Sequence, residues 1–169
     1  MVIVCIVIAM SEKEGEIMLP RQELLDLYER AESAYNRGDF DLAIRLLKKI
    51  LGQCPKEYPA LNSLGTCYYL QGRKREALHA FRLAVRLAGN NFQVHFNFIF
   101  ALIVQGCIDE AAAELEEFLP GLMHDVLKAR LLAAQGRSVE AKMLWSLVAS
   151  SLQPLPAELR RVAVQRAEL

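Results

Sequence analysis

The sequence lacks net charge, because twenty basic residues balance twenty acidic ones among its 169 residues. A strong excess of one sign is what draws a protein to nucleic acid or to an anionic membrane, so neither partner is expected here. Cysteine is also scarce, and the four present are too widely spaced to form a CxxC pair or a disulfide framework: Cys5, Cys54, Cys67 and Cys107. We expect free thiols in a reducing compartment, which predicts a cytoplasmic protein.

The residues that usually carry chemistry are few as well. The three histidines, His79, His95 and His124, show no metal-ligand spacing with one another or with a cysteine. The glycines are isolated, so no phosphate-binding loop is present. The sequence therefore predicts no metal, no cofactor and no enzymatic activity. A hydrophobic fraction of 53% still indicates a folded domain with a substantial core.

A continuous apolar run occurs at the amino terminus, over residues 2–9. It is far shorter than the roughly 20 residues that a membrane-spanning helix needs, so no stable membrane span is expected. Three interpretations stay open: a secretory signal, a start assigned upstream of Met10 or Met18, and an apolar arm that packs on the body or on another copy. We treat residues 1–19 as such an arm, and as a candidate homodimer contact.

The clearest pattern in the chain is an internal repeat. Gly38, Gly72 and Gly106 are spaced by 34 residues, and Gly136 follows after 30. Four alanines, each five residues further on, keep these spacings: Ala43, Ala77, Ala111 and Ala141. Apolar residues recur at helical spacing between the marks, which predicts units of a helix, a turn and a second helix. The glycine suits the turn, and the alanine suits a close crossing of the two helices.

With these marks, the segment 58–91, YPALNSLGTCYYLQGRKREALHAFRLAVRLAGNN, resembles a tetratricopeptide repeat at almost every place of that motif. Segments 24–57, 92–121 and 122–151 resemble it less completely. The resemblance implies an all-α fold, a right-handed α-solenoid of helix-turn-helix repeats, whose first helices line a concave face. We expect the repeat domain to cover residues 20–153 and a C-terminal capping helix to cover residues 154–169. Ile99 replaces a small residue of the motif, which suggests a splayed or rotated third pair.

The resemblance also implies a function, the binding of a protein or peptide partner. Such a chain would act as a scaffold or adaptor without chemistry of its own. Aromatic and polar side chains on the first helices are expected to line an apolar groove for a partner segment. The predicted groove residues are Tyr28, Glu32, Tyr35, Asn62, Thr66, Tyr69, Phe96, Asn97, Phe100 and Ile103. Alternatively, Phe96 and Phe100 pack against a neighbouring helix or the amino-terminal arm, which would leave the groove self-occupied.

Two branches of the family suggest narrower roles. One grips the terminal carboxylate of heat-shock chaperones through lysine, asparagine and arginine, but the matching places here are Tyr28, Glu32, Ser63, Gln93 and Asn97. Because Glu32 would repel a carboxylate, we expect no such co-chaperone role. The other branch, the small bacterial type III secretion chaperones, is similar in size and plan. Service as a chaperone for an apolar translocator segment is therefore the alternative function.

Overall fold

The computed structural model describes residues 21–117 and 121–151, and every regular element in these ranges is a helix. In chain order the helices are α1 (Arg21–Asn36), α2 (Phe40–Gln53), α3 (Tyr58–Leu70), α4 (Lys74–Ala88), α5 (Phe92–Gln105), α6 (Ile108–Glu117), α7 (Leu122–Ala134) and α8 (Ser138–Ser150). Each predicted repeat corresponds to one consecutive pair of helices. The chain divides into two compact units after Val94, within α5.

The first unit contains α1 to α4 and the start of α5. Helix α1 packs on α2, α2 on α3, and α3 on α4, so each helix contacts the next along the chain. The core side of α2 shows why this segment is helical: its buried residues recur at spacings of three and four, and they are Ala43, Ile44, Leu46, Leu47 and Ile50. Leu61, Ala84 and Val94 form a second buried cluster in this unit.

The second unit contains the rest of α5 together with α6, α7 and α8. Helix α6 packs on α7, and α7 packs on α8. Val126 and Ala129 of α7 meet Trp145 and Val148 of α8 in a buried cluster. Ile99, whose bulk suggested a splayed third pair, is fully buried in α5.

The turn inside each helix pair has the same geometry in all four repeats. Gly38, Gly72, Gly106 and Gly136 have φ values of 77, 75, 78 and 77°, in the left-handed region that glycine enters at little cost. In the first repeat the Gly38 N–H donates to the Tyr35 carbonyl at 2.9 Å, and the following N–H donates to the Ala34 carbonyl at 2.9 Å. These bonds satisfy carbonyls that the end of α1 would otherwise leave unpaired.

The alanines predicted at the helix crossings are all buried: Ala43, Ala77, Ala111 and Ala141. On the opposite helix of the second pair, Gly65 lies so close to Phe81 that a Cβ atom placed there would be 2.7 Å from the phenyl ring. The absence of a side chain at Gly65 therefore lets α3 and α4 approach closely.

The predicted fold class is confirmed: the described chain is an all-α stack of helix-turn-helix repeats. The predicted arm at residues 1–19 and the predicted capping helix at residues 154–169 both lie outside the described residues. The domain limits therefore stay predictions. In the described part of the chain, no helix is both long and apolar enough to cross a membrane.

Candidate functional site

The repeat register defines which first-helix residues share a structural place. Glu32, Thr66, Phe100 and Arg130 follow one another at 34, 34 and 30 residues, the same spacings as the turn glycines. All four are half-buried, and each lies on the first helix of its pair. This place therefore presents a different chemistry in each repeat while it keeps the same position in the helix pair.

In the first unit, Tyr28 of α1 belongs to the core. Its side chain is only 7% exposed, and its hydroxyl donates a hydrogen bond of 3.1 Å to Glu57 Oε1, just before α3. Burial raises the pKa of Tyr28 above its ordinary value of 10, and the nearby Glu57 carboxylate raises it further. Of the ten predicted groove residues, Tyr28 therefore offers the least surface to a partner.

The other two predicted residues of α1, Glu32 and Tyr35, are half-buried. The Tyr35 ring meets Phe40 of α2 edge-on, with 5.8 Å between ring centroids. Burial raises the pKa of Tyr35 above 10, and Cys67 of α3 contributes to the same direction. Tyr35 thus combines a packed ring with a partly accessible edge, as is common for tyrosines that also serve at interfaces.

Helix α3 carries three predicted residues of the first unit, Asn62, Thr66 and Tyr69, and all three are half-buried. The Thr66 hydroxyl donates to the Asn62 carbonyl one turn earlier at 3.1 Å. This bond fixes the threonine rotamer and turns its methyl group into a defined part of the surface. An amide, a hydroxyl and a phenol therefore follow one another along one side of α3.

In the second unit, the predicted residues are aromatic and apolar. Phe96 and Phe100, one turn apart on α5, are stacked with 6.4 Å between centroids and 8° between ring planes. The Arg130 guanidinium of α7 lies over the Phe100 ring at 4.9 Å and also 6.0 Å from the Trp145 ring. Asn97 and Ile103 of α5 are half-buried. A cation over an aromatic face is favourable because the ring quadrupole attracts positive charge.

Three residues of these faces were missed by sequence reasoning. Arg130 could have been found, since it occupies the place of Glu32, Thr66 and Phe100 in the fourth repeat. Leu70 and Val104, themselves 34 residues apart, lie one helical turn after Thr66 and Phe100 and are 47% and 36% exposed. Residues four apart share a helix face, so both extend the predicted surface of their own unit with exposed apolar area.

Cysteine and histidine side chains are the candidates for chemistry within the described ranges. Burial raises the pKa of the Cys67 thiol to about 11, which disfavours the nucleophilic thiolate at neutral pH. His95 lies 3.9 Å from Glu114, and His79 is exposed on α4. Within residues 21–117 and 121–151, no three histidine, cysteine or acidic side chains are grouped to hold a metal ion.

Comparison with known families places the chain among helical-repeat proteins. A tetratricopeptide repeat model matches residues 28–92, and a second tetratricopeptide repeat model matches residues 122–144. Among curated proteins, the chain is similar to the DnaJ homolog subfamily C member 3 of Gallus gallus, with 31% identity over 87 residues. That alignment covers 51% of this chain and 17% of the relative, so the chain spans less than a fifth of the relative's length.

Solved structures show the same fold at low identity. A thermophilic TPR protein of Thermus thermophilus has a TM-score of 0.70 at 20% identity, covering 88% of this chain and 83% of that one. A MamA fragment from Desulfovibrio magneticus has a TM-score of 0.68 at 14% identity, covering 85% and 90%. The first TPR of Spaghetti (RPAP3), bound to the HSP90 peptide SRMEEVD, has a TM-score of 0.55 at 19% identity, covering 79% and 99%.

Proposed function

The chain belongs to the tetratricopeptide repeat family, and we propose that it binds a segment of a partner protein on the faces of its first helices. By holding that segment within a larger assembly, it would act as a scaffold or adaptor. Tetratricopeptide repeats generally mediate protein-protein interactions, and a structural neighbour is bound to a peptide. We further propose that the chain has no enzymatic activity and acts in the cytoplasm, where the thiols of Cys54, Cys67 and Cys107 would stay reduced.

The observation that carries the proposal is the place shared by Glu32, Thr66, Phe100 and Arg130. The fully buried core of each unit is formed by other residues, and we infer that the variety of these four reflects contact with a partner. Leu70 and Val104, one turn later, expose apolar surface to water, which is unfavourable in free energy unless a partner covers them. A repeat protein that holds an acidic, a polar, an aromatic and a basic side chain at one register place is suited to recognise a partner of mixed chemistry.

The first unit is suited to the backbone of a partner segment. Asn62 and Thr66 can exchange hydrogen bonds with peptide groups, while Tyr69 supplies an aromatic surface with a polar tip. Such a combination binds an extended peptide without demanding particular side chains at each place. We therefore propose that the first unit contributes affinity through backbone contacts.

The second unit is suited to an apolar or aromatic side chain next to an acidic one. The stacked rings of Phe96 and Phe100 offer a flat apolar surface, and Arg130 is held over Phe100. A guanidinium can pair with a carboxylate while its face stays on the ring. We therefore propose that side-chain selectivity comes mainly from the second unit.

The test is an affinity capture from the native source, with partners identified by mass spectrometry. Tyr69→Ala probes the first unit and Phe100→Ala probes the second. Leu87→Ala is the matched control, because it removes a 41% exposed apolar side chain from α4, a second helix. We expect at least one protein to be captured by wild type and by the control but lost with Tyr69→Ala or Phe100→Ala. Equal capture by all four forms would contradict the proposal.

A second assay addresses the co-chaperone branch directly. The peptide SRMEEVD, bound by the structural neighbour, is titrated against this chain by calorimetry. We expect no measurable binding. Glu32 lies at a place where that branch has a polar or basic side chain that binds the peptide carboxylate, and Glu32 would repel it. Binding in the micromolar range that is lost in Arg130→Ala would instead assign an acidic carboxy terminus as the ligand.

A further inference from the structure

The Arg130 guanidinium of α7 contacts aromatic rings from two other helices of the second unit. It lies 4.9 Å from the centroid of the Phe100 ring on α5 and 6.0 Å from the Trp145 ring on α8. Phe100 belongs to the surface proposed to bind a partner, whereas Trp145 is only 3% exposed. The arginine at this surface is therefore held partly by a residue of the core.

Helix α7 brings Arg130 to the indole because Val126 lies one turn earlier on the same side of the helix. Val126 packs against Trp145 in the buried cluster of α7 and α8. Residues four apart share a helix face, so Arg130 continues this side of α7. Arg130 is half-buried, and it thus lies where the core of this helix pair meets the surface.

The repeat register shows that the repeat fold does not require an indole at the place of Trp145. The equivalent residues of the other repeats are all buried: Leu47 on α2, Phe81 on α4 and Leu115 on α6. Leucine therefore fills the same place in two of the four repeats. An indole differs from leucine in having a π face that attracts a cation.

Among the four described helix pairs, the fourth alone combines a ring at this core place with a cation at the register place of Arg130. The other repeats combine different residues at the two places: Glu32 with Leu47, Thr66 with Phe81, and Phe100 with Leu115. The contact between Arg130 and Trp145 is therefore a feature of this repeat and not of the repeat fold.

We propose that Trp145 is a positioning residue for Arg130, and that it makes the second unit selective for an acidic side chain of the partner. This inference rests on the proposed function, in which Arg130 pairs with a carboxylate beside the stacked rings of Phe96 and Phe100. Trp145 is buried, so it acts through Arg130 and does not itself contact the partner.

The position of the guanidinium affects selectivity through conformational entropy. A mobile arginine has many rotamers, and a partner that must order them binds with less free energy. Two rings reduce this loss because they hold the guanidinium of Arg130 before the partner arrives. The rings attract the face of the guanidinium, whereas its N–H groups lie in its plane, where a carboxylate can accept two of them.

Nuclear magnetic resonance of the isotope-labelled full chain tests the positioning without any partner. Protons above an aromatic ring resonate upfield, so the Arg130 Nε–H signal, assigned with Arg130→Lys, is expected upfield of the Arg30 signal from the exposed side of α1. Trp145→Phe keeps a ring and should retain most of this shift. Trp145→Leu carries the residue found at the equivalent places and should lose part of it. An unshifted Arg130 signal in wild type, or an equal shift in Trp145→Leu, would overturn the proposal.

A further variant decides the question if Trp145→Leu does not fold. Phe100→Leu changes a half-buried residue and removes the other ring near Arg130. An upfield shift that remains in Phe100→Leu therefore comes from Trp145. We expect part of the shift to remain, and its complete loss would show that Phe100 alone holds the guanidinium.

Two capped tetrapeptides, ALEA and ALQA, test the selectivity, since they differ only in a carboxylate. In wild type, ALEA is expected to move the Arg130 signal more than ALQA does. Trp145→Leu should weaken the affinity for ALEA about two- to fivefold, and Trp145→Phe should restore most of it. An equal response to both peptides in wild type, including none, or an unchanged affinity in Trp145→Leu, would overturn the proposal. Partner capture that depends on Tyr69 can succeed in either case, so this proposal and the proposed function fail separately.

Discussion

The two units of the chain are built from the same helix pairs, but they carry different side chains at equivalent places on the first helices. In the first unit, the places on the first helices that folding leaves half-buried hold Glu32, Asn62 and Thr66. In the second unit, the corresponding places hold Phe96, Phe100 and Arg130. The helix pairs and their glycine turns are the same in both units, so the turns do not explain the difference, which under the proposed function reflects what each surface would contact. Four measurements test how much the contacts described for each unit contribute to its stability.

The largest effect is expected from a charge buried in the first unit. Ala77→Glu places a carboxylate at a fully buried crossing of α3 and α4, which should cost about 3–5 kcal/mol and unfold this unit. Circular dichroism during thermal unfolding measures the loss. Ala113→Glu, exposed on α6, is the control and should melt as wild type does. A wild-type transition in Ala77→Glu would show that the crossing is not closely packed.

A smaller loss is expected where the two helices of the first unit approach most closely. Gly65→Ala adds a Cβ atom 2.7 Å from the Phe81 ring, an overpacking cost of about 1–3 kcal/mol measurable by chemical denaturation. The first repeat holds an alanine at this place, Ala31, together with a smaller residue, Leu47, at the place of Phe81. Adding Phe81→Leu to Gly65→Ala should therefore recover part of the lost stability. If stability is not recovered, the loss does not come from contact between the added Cβ atom and the Phe81 ring.

A third test concerns Tyr28, the predicted surface residue that lies in the core. Tyr28→Phe removes the hydrogen bond to Glu57 and should cost about 0.5–1.5 kcal/mol near neutral pH. Because the folded-state pKa of Tyr28 is raised, the unfolded chain releases its proton first, so wild-type stability falls as pH rises above about 10.

Denaturation between pH 9 and 11 checks this pH dependence. The alkaline loss should be shallower in Tyr28→Phe, while a part remains because the pKa values of Cys67 and Tyr35 are also raised. Identical profiles for wild type and Tyr28→Phe would mean that the phenol is accessible to solvent.

The smallest effect is expected from the contact between Arg130 and Phe100. A double-mutant cycle with Arg130→Met and Phe100→Leu should give a coupling energy of about 0.5–1 kcal/mol in stability. One comparison in the first unit is Lys48 with Tyr68, a ring that Arg73 also approaches to 4.3 Å; the exposed Lys48 ammonium lies 5.9 Å from the ring centroid. That longer contact should couple more weakly. Equal coupling energies for the two pairs would contradict the prediction that Arg130 and Phe100 interact more strongly than Lys48 and Tyr68.

Much of the fold could be predicted because the repeated glycines and the repeated alanines each meet one physical requirement of the helix pair. The turn requires a left-handed residue, which favours glycine, and the crossing requires a small one, which favours alanine. Both marks recur in register, so the helix pairs and their approximate limits follow from spacing alone. The four pairs of helices in the described ranges agree with that prediction.

The faces of the first helices were harder to predict, since helical spacing does not say how deeply a side chain lies. Tyr28 shares its register place with Asn62 and Phe96, yet a tyrosine can enter the core when its hydroxyl finds a partner, and Glu57 supplies one. Val126, at the same place in the fourth repeat, is also buried. The exposure of Val139, Met143 and Leu147 on α8 needed the structure for the same reason, because apolar residues at intervals of four usually indicate the core.

One buried residue gives the chain a built-in spectroscopic reporter. Trp145 is the only tryptophan of the sequence, and it is almost fully buried between α7 and α8 in the second unit. Its fluorescence, excited selectively at long wavelength, therefore reports on that unit, whereas helical ellipticity reports on all the helices together. If the two signals diverge as the protein is denatured, the units lose structure at different stages, and no label has to be attached to observe it.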